Sequence, residues 1–220
     1  MIAEQTGRPG QLVVVLGTGT DVGKTWLTCE LIRSLRSRGY RVSARKPAQS
    51  FEPGDVAALV TDAHLLAAAS GENVTDVCRA HRWYAIPMAP PMAAESLGLP
   101  TIRINELLAE LTWPSATRIG FVETAGGVRS PIADDGDCLQ FARRLHPDRA
   151  ILVADAGLGT INALRLSMTA LEPIRPLVFL NHFDPKSELH RRNHDWLRDR
   201  DEMILATSTD DVVRWIVSEP

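Results

Sequence analysis

The sequence predicts an α/β fold: a doubly wound, mostly parallel sheet with helices on both faces, built as a single domain. Three observations predict it. Five short runs, Leu12–Leu16, Arg41–Arg45, Ile119–Glu123, Ala150–Asp155 and Leu177–Leu180, have the length of buried strands and alternate with amphipathic stretches. Such alternation calls for right-handed crossovers, which lay helices over both faces of a parallel sheet and gather ligands at the carboxyl ends of its strands. The first run passes directly into a glycine-rich loop and then a helix-periodic segment from Trp26 to about Arg38. Finally, 220 residues with 45% hydrophobic and 23% charged content suit one well-buried core.

Residues 1–10, polar with Gly7, Pro9 and Gly10, are expected to form a disordered leader, leaving 11–220 as one domain. The apolar run Leu12–Leu16 is too short for a signal peptide or a membrane span. A formal net charge of −3 offers no broad attraction to nucleic acid or anionic membrane, so neither is an expected partner. Cys29, Cys78 and Cys138 are scattered without C-x-x-C spacing, which fits a reducing cytoplasm. Pro87, Pro90, Pro91 and Pro100 make Ile86–Pro100 an expected ordered loop, whereas Asp55–Ala69 and His190–Arg200 read as helices, the second a solvated one. The tryptophans Trp26, Trp83, Trp113, Trp196 and Trp215 lack the spacing of a base-stacking platform and read as packing residues. Only His190 and His194 share helical i,i+4 spacing, and no H-E-x-x-H or G-x-S-x-G pattern occurs, which argues against a zinc site and a serine-hydrolase elbow.

The strongest local signal is Gly17-Thr18-Gly19-Thr20-Asp21-Val22-Gly23-Lys24-Thr25 between strand and helix. Glycines let consecutive N–H groups turn inward, and together with the positive end of the helix they cradle phosphates. Lys24 then neutralises the transferred phosphate, and the Thr25 hydroxyl reaches magnesium. This places the fold among those of P-loop NTPase type. The loop is one residue longer than the common form, with Thr18 at the strict first-glycine position and Gly17 the nearest upstream glycine; an ordinary turn is the alternative.

Two more strand ends carry charge. Lys46 precedes Pro47, which disfavours helix at Lys46 and keeps it extended toward the crevice; a solvated strand cap is the alternative. Glu123 ends the strand before Thr124-Ala125-Gly126-Gly127, where a carboxylate can hold a metal directly or through water, or else cap a turn.

These segments resemble the dethiobiotin synthetase family. G-T-G-T-D-V-G-K-T is similar to its lengthened phosphate loop, K-P-A-Q-S (46–50) to its K-P-x-x-[ST], and E-T-A-G-G (123–127) to its E-G-A-G-G. Ile86–Glu95 resembles its proline-rich substrate loop, Gly157–Asn162 its x-L-G-x-[IL]-N, and Asn181–Pro185 its adenine-binding N-x-x-x-P, in the family's order from Leu12 to Pro185. The resemblance implies an ATP- and Mg2+-dependent catalytic domain over 11–220 that carboxylates a diamine carboxylate with carbon dioxide and closes a ureido ring. It implies Lys24, Lys46 and Thr20 as catalytic residues, and Gly19, Thr20, Asp21, Val22, Gly23, Lys24, Thr25, Glu123 and Asn181 around the nucleotide, Asn181 on adenine. Lys46, Ser50, Thr160 and Asn162 would meet the substrate, and Thr25, Asp62 and Glu123 the magnesium. Around Asp62 the match is loose, so Asp55 stays open as the metal carboxylate, and Asp62 as a surface one. A homodimer with shared active sites is also implied, Thr160 and Asn162 of one chain meeting substrate held by the other; that Thr160 merely caps its own helix is the alternative.

The chain departs from the pattern at Gly19, where aspartate is common, at Thr124 and Phe51, and at Ala163, where histidine is common. Thr124 puts a side chain where backbone is expected to approach a ligand, and Phe51 is expected to reshape the floor of the substrate pocket. Both bear on the second substrate and keep open a paralogue acting on another carboxylate or carbamate. A ParA- or MinD-like nucleotide switch is the other rival, although Gly17-Thr18-Gly19 lacks the extra lysine usual there.

Overall fold

In the computed structural model, which describes residues 7–57 and 60–218, a six-stranded parallel sheet separates two halves of the core. The chain begins with β1 (Gln11–Gly17), α1 (Lys24–Ser37), β2 (Val42–Arg45), β3 (Gln49–Ser50), α2 (Asp62–Ser70), α3 (Val74–Val77) and β4 (Trp83–Tyr84). It continues through α4 (Pro90–Ser96), α5 (Ile104–Ala109), β5 (Ile119–Glu123), β6 (Pro131–Ala133), β7 (Gly136–Asp137) and α6 (Cys138–Leu145). Last come β8 (Arg149–Asp155), α7 (Thr160–Leu171), β9 (Leu177–Asn181), α8 (Glu188–Asp199), β10 (Leu205–Ala206) and α9 (Thr209–Val217).

Side chains of successive strand residues point to opposite faces, and both faces of this sheet are covered. Leu12, Val14 and Leu16 of β1 join Val122, Leu152 and Leu180 in one cluster, under α4, α6 and α7. Val13 and Val15 join Phe121, Ile151 and Phe179 in the other, under α1, α2 and α9. The strand order is β10-β9-β8-β1-β5-β2, so the chain runs outward from β1 to β2, returns to β5, and crosses β1 to reach β8. A crevice opens at the carboxyl end of β1, where that direction reverses.

Register decides which residues meet there. Arg45 of β2 pairs with Val122 of β5, and Val15 of β1 pairs with Glu123. Lys46, Glu123 and the start of the glycine-rich loop therefore leave the sheet at one edge. The pairs β3–β4 (parallel) and β6–β7 (antiparallel) extend the walls above it.

Several expectations need correction. The segment Ile86–Pro100 contains a helix, α4, because Pro90 and Pro91 occupy its first turn, where a missing N–H leaves no bond unmade. The helix expected over Asp55–Ala69 starts at Asp62; Pro53-Gly54 turns the chain ahead of it, and Asp55 Oδ2 accepts from the Glu52 N–H at 3.2 Å inside that turn. Of the leader, residues 1–6 lie outside the described residues. Residues 7–10 are held rather than loose, with Pro9 buried and the Gly10 N–H donating to the Thr117 carbonyl at 3.2 Å. Among the described residues no helix is long and apolar enough to cross a membrane.

Candidate active site

The glycine-rich loop turns into α1 through Gly23, which sits at φ 95° in the left-handed region. A β-carbon there would collide with Asn181 Nδ2, so the position needs glycine for space as well as conformation. Asn181 ends β9 and braces the loop from below, its Nδ2 donating to the Val22 carbonyl at 3.0 Å. Lys24 folds back across the loop and donates to the Gly19 carbonyl at 2.8 Å; a β-carbon on Gly17 would press to 2.9 Å from Lys24 Cδ. Burial lowers the Lys24 pKa from its ordinary value, and the neighbouring Lys46 lowers it further.

Beside the loop five side chains interlock. Lys46 Nζ lies 2.6 Å from Asp62 Oδ2 and 2.9 Å from Glu123 Oε1. Burial pulls the Lys46 ammonium down, but the Asp62 and Glu123 carboxylates more than offset this and hold its pKa above the ordinary lysine value. Burial likewise pushes Asp62 up, and Lys46 overrides it, leaving Asp62 below the ordinary aspartate value. The Thr25 hydroxyl stands 2.8 Å from Asp62 Oδ1 and 2.7 Å from Glu123 Oε1, and Thr28 donates to Glu123 Oε2 at 2.8 Å.

One Thr25 proton cannot serve two carboxylates at once, so oxygen lone pairs are in surplus where these three groups converge. A hard divalent cation suits that surplus. Among the described residues no cluster of three or more His, Cys, Asp or Glu side chains forms a metal cage. Two carboxylates and a hydroxyl instead fit magnesium, which takes its remaining ligands from water and phosphate.

Thr20, Asp21, Gly23, Lys24, Thr25, Lys46, Ser50 and Asp62 line one cleft of about 530 Å³. Glu123 lies fully buried beneath it, and Gly19 and Val22 complete the loop. It is Asp62 that reaches Thr25, whereas Asp55 stays in its own turn. Thr160 and Asn162 stand apart: Thr160 opens α7 with its hydroxyl buried and unpaired among the described residues, Asn162 is exposed two residues on, and neither lines the cleft.

Two of the four departures from the family pattern, Thr124 and Phe51, turn away from the cleft. The Thr124 hydroxyl donates to the Val15 carbonyl at 3.2 Å inside the core, and Phe51 packs edge-on against Trp83, their centroids 6.3 Å apart. Neither lines the cleft, so the expected reshaping of its floor does not occur. Sequence reasoning missed Gln49, Trp26 and Ser130, which do line it, and Thr28 beneath. Thr28 lies three residues past Thr25 on one helix face, a spacing that would have found it.

A family model described as an AAA domain matches residues 11–186. The chain is 38% identical over 163 residues to the ATP-dependent dethiobiotin synthetase of Corynebacterium efficiens, covering 72% of this chain and 69% of that protein. It is 40% identical over 168 residues to that of Phenylobacterium zucineum, covering 73% and 69%. Among solved structures, the signal recognition particle receptor FtsY of Elizabethkingia anophelis superposes with a TM-score of 0.53 at 15% identity, over 94% of this chain and 62% of the receptor chain. At that identity the likeness is one of fold alone.

Proposed function

Because this chain belongs to the ATP-dependent dethiobiotin synthetase family, we propose that it converts diaminopelargonate, a vicinal diamine with a carboxylate tail, to a cyclic urea using carbon dioxide and ATP. One amine bonds to the carbon of carbon dioxide and loses a proton, giving a carbamate. A carbamate oxygen then attacks the γ-phosphorus and displaces ADP. The second amine attacks the carbonyl carbon, loses its proton, and phosphate departs.

The observation that carries this reading is the second buried lysine. Lys24 belongs to the phosphates; Lys46, held charged by two carboxylates, adds a cation in the same cleft for a second anion. Loop N–H groups and Lys24 oppose the charge that grows on the transferred phosphoryl group, Thr20 and Asp21 flank the nucleotide, and Lys46 with Ser50 orients the carbamate for attack. Asn181 meets the adenine through the side-chain carbonyl that its bond to Val22 leaves over. Thr25, Asp62 and Glu123 would hold magnesium, which neutralises phosphate charge when bound. The test is to follow ADP and dethiobiotin while the diamine and bicarbonate are omitted in turn. Dependence on both supports the reading; ADP release indifferent to both replaces it with a nucleotide switch.

Glu123→Gln and Asp62→Asn each take a charged oxygen from a hard cation, and each is expected to raise the magnesium concentration giving half-maximal activity by about tenfold or more. A magnesium titration checks this. A response from Glu123→Gln alone would remove Asp62 from the metal.

The enzyme is a two-fold dimer with shared sites in this reading. Leu158, just before α7, is 92% exposed and Leu166, midway along it, 67% exposed, apolar side chains suited to a second copy. Free N–H groups at that helix start, with Thr160 and Asn162, suit the carboxylate tail of substrate held by the partner. Co-refolding inactive Lys24→Ala with an inactive Thr160→Val/Asn162→Ala double variant is expected to restore about a quarter of all sites, since each mixed dimer gains one intact composite site. Mixed dimers without recovered activity would reject the shared site.

A further inference from the structure

Gln49 is 2% exposed, yet it lines the cleft. Its orientation is fixed by a backbone donor: the Ala63 N–H, in the first turn of α2, donates to Gln49 Oε1 at 2.9 Å. A backbone N–H needs an acceptor, so the amide cannot be turned over, and Nε2 takes the other side. There Nε2 is buried without a hydrogen-bond partner among the described residues. Buried amide nitrogens are nearly always paired, and an unpaired one on a residue that lines the cleft is a candidate donor to a ligand there.

The chemistry of that atom is restricted. An NH2 group only donates, so its partner must be an acceptor, and a protonated amine presents none. Phosphate oxygens are served by the loop of residues 17–25, whereas Gln49 follows Lys46 by three residues and precedes Ser50, on the segment facing the second substrate. Lys46 already divides its charge between Asp62 and Glu123, so a neutral donor adds a directed bond without upsetting that balance. We infer that Gln49 Nε2 donates to a carbamate oxygen of the carboxylated diamine and so selects the carboxylated over the free diamine. This assignment rests on the reaction proposed above.

Two variants separate the donor from its structural bond. Gln49→Glu keeps an acceptor for the Ala63 N–H but loses the donor; Gln49→Met keeps the bulk and loses both. Dethiobiotin formation by the wild-type protein comes first, and its failure would reject the reaction. With the reaction established, calorimetry measures diamine affinity with and without bicarbonate, in the absence of ATP. Bicarbonate is expected to tighten diamine binding in the wild type, and this gain is expected to fall by about tenfold or more in both variants, as for loss of a hydrogen bond to a charged acceptor. In the neutral variant Gln49→Met, ATP affinity and the affinity for diamine alone should change less than about twofold on the same grounds, because neither ligand then presents the carbamate. The inference is overturned if the wild type shows no such gain, or if Gln49→Glu keeps it. It is also overturned if only Gln49→Met loses the gain, together with its melting temperature, since a structural bond to Ala63 then explains the effect.

Discussion

Replacing Lys24 with alanine is expected to slow phosphoryl transfer by about 10²–10³-fold, the scale for removing one preorganised charge aimed at a transition state. The fold should survive. Its ammonium is buried, close to Lys46, and has a pKa below the ordinary lysine value, so the folded state disfavours this charge, which offsets the loss of the bond from Lys24 to the Gly19 carbonyl. Single-turnover ADP formation and a urea titration together check the expectation. Turnover near the wild-type rate would take Lys24 out of the chemistry, and a large loss of stability would make it a structural residue.

Lys46→Gln should behave in the opposite way and weaken the protein itself. Glu123 is fully buried, and Lys46 is the only cation bonded to it among the described residues. Removing one partner from a buried ion pair costs about 3–5 kcal/mol because the other charge stays behind. Urea denaturation measures the loss, and millimolar magnesium should recover part of it by replacing the missing cation. The Asp62 share of the stabilisation is present above the ordinary aspartate pKa of 3.8 and is lost as pH falls through the lower folded value. The Lys46 share is full below 10.5 and is lost only as pH rises through a folded value above that. In turnover, the diamine-dependent step should suffer far more than ATP affinity. A variant as stable as the wild type, or one that loses ATP affinity equally, would contradict the assignment of Lys46.

Much of this was legible in the sequence, for identifiable reasons. β1, β2, β5, β8 and β9 are buried on both faces, so they read as short runs bounded by loops. β10 holds only Leu205 and Ala206, and two residues show no period. The two-residue strands β3 and β4 were invisible for the same cause. Prolines misled at α4, where Pro90 and Pro91 start the helix they were expected to exclude. In the site, Lys24 and Thr25 announce themselves by spacing along the chain. Asp62 and Glu123 meet across 61 positions only because β2 and β5 are in register and α2 folds back over them, and local pattern carries no trace of that. Gln49 had no signal of its own, since it falls at an unspecified position of K-P-x-x-[ST] and in a two-residue strand.

Four charged side chains beside the loop govern how the cleft fills. Lys24 and Lys46 carry two positive charges and Asp62 and Glu123 two negative ones, so this part of the site is electroneutral before any ligand arrives. A lone divalent cation entering it must compete with an ammonium already seated between the carboxylates, and bare triphosphate meets two carboxylates as well as two lysines. A metal and a triphosphate arriving together would bring charges of both signs, with Asp62 and Glu123 to hold the metal and the two lysines to face the phosphates. The balance thus favours loading as one preassembled complex: weak affinity for each component alone, and marked mutual reinforcement between them.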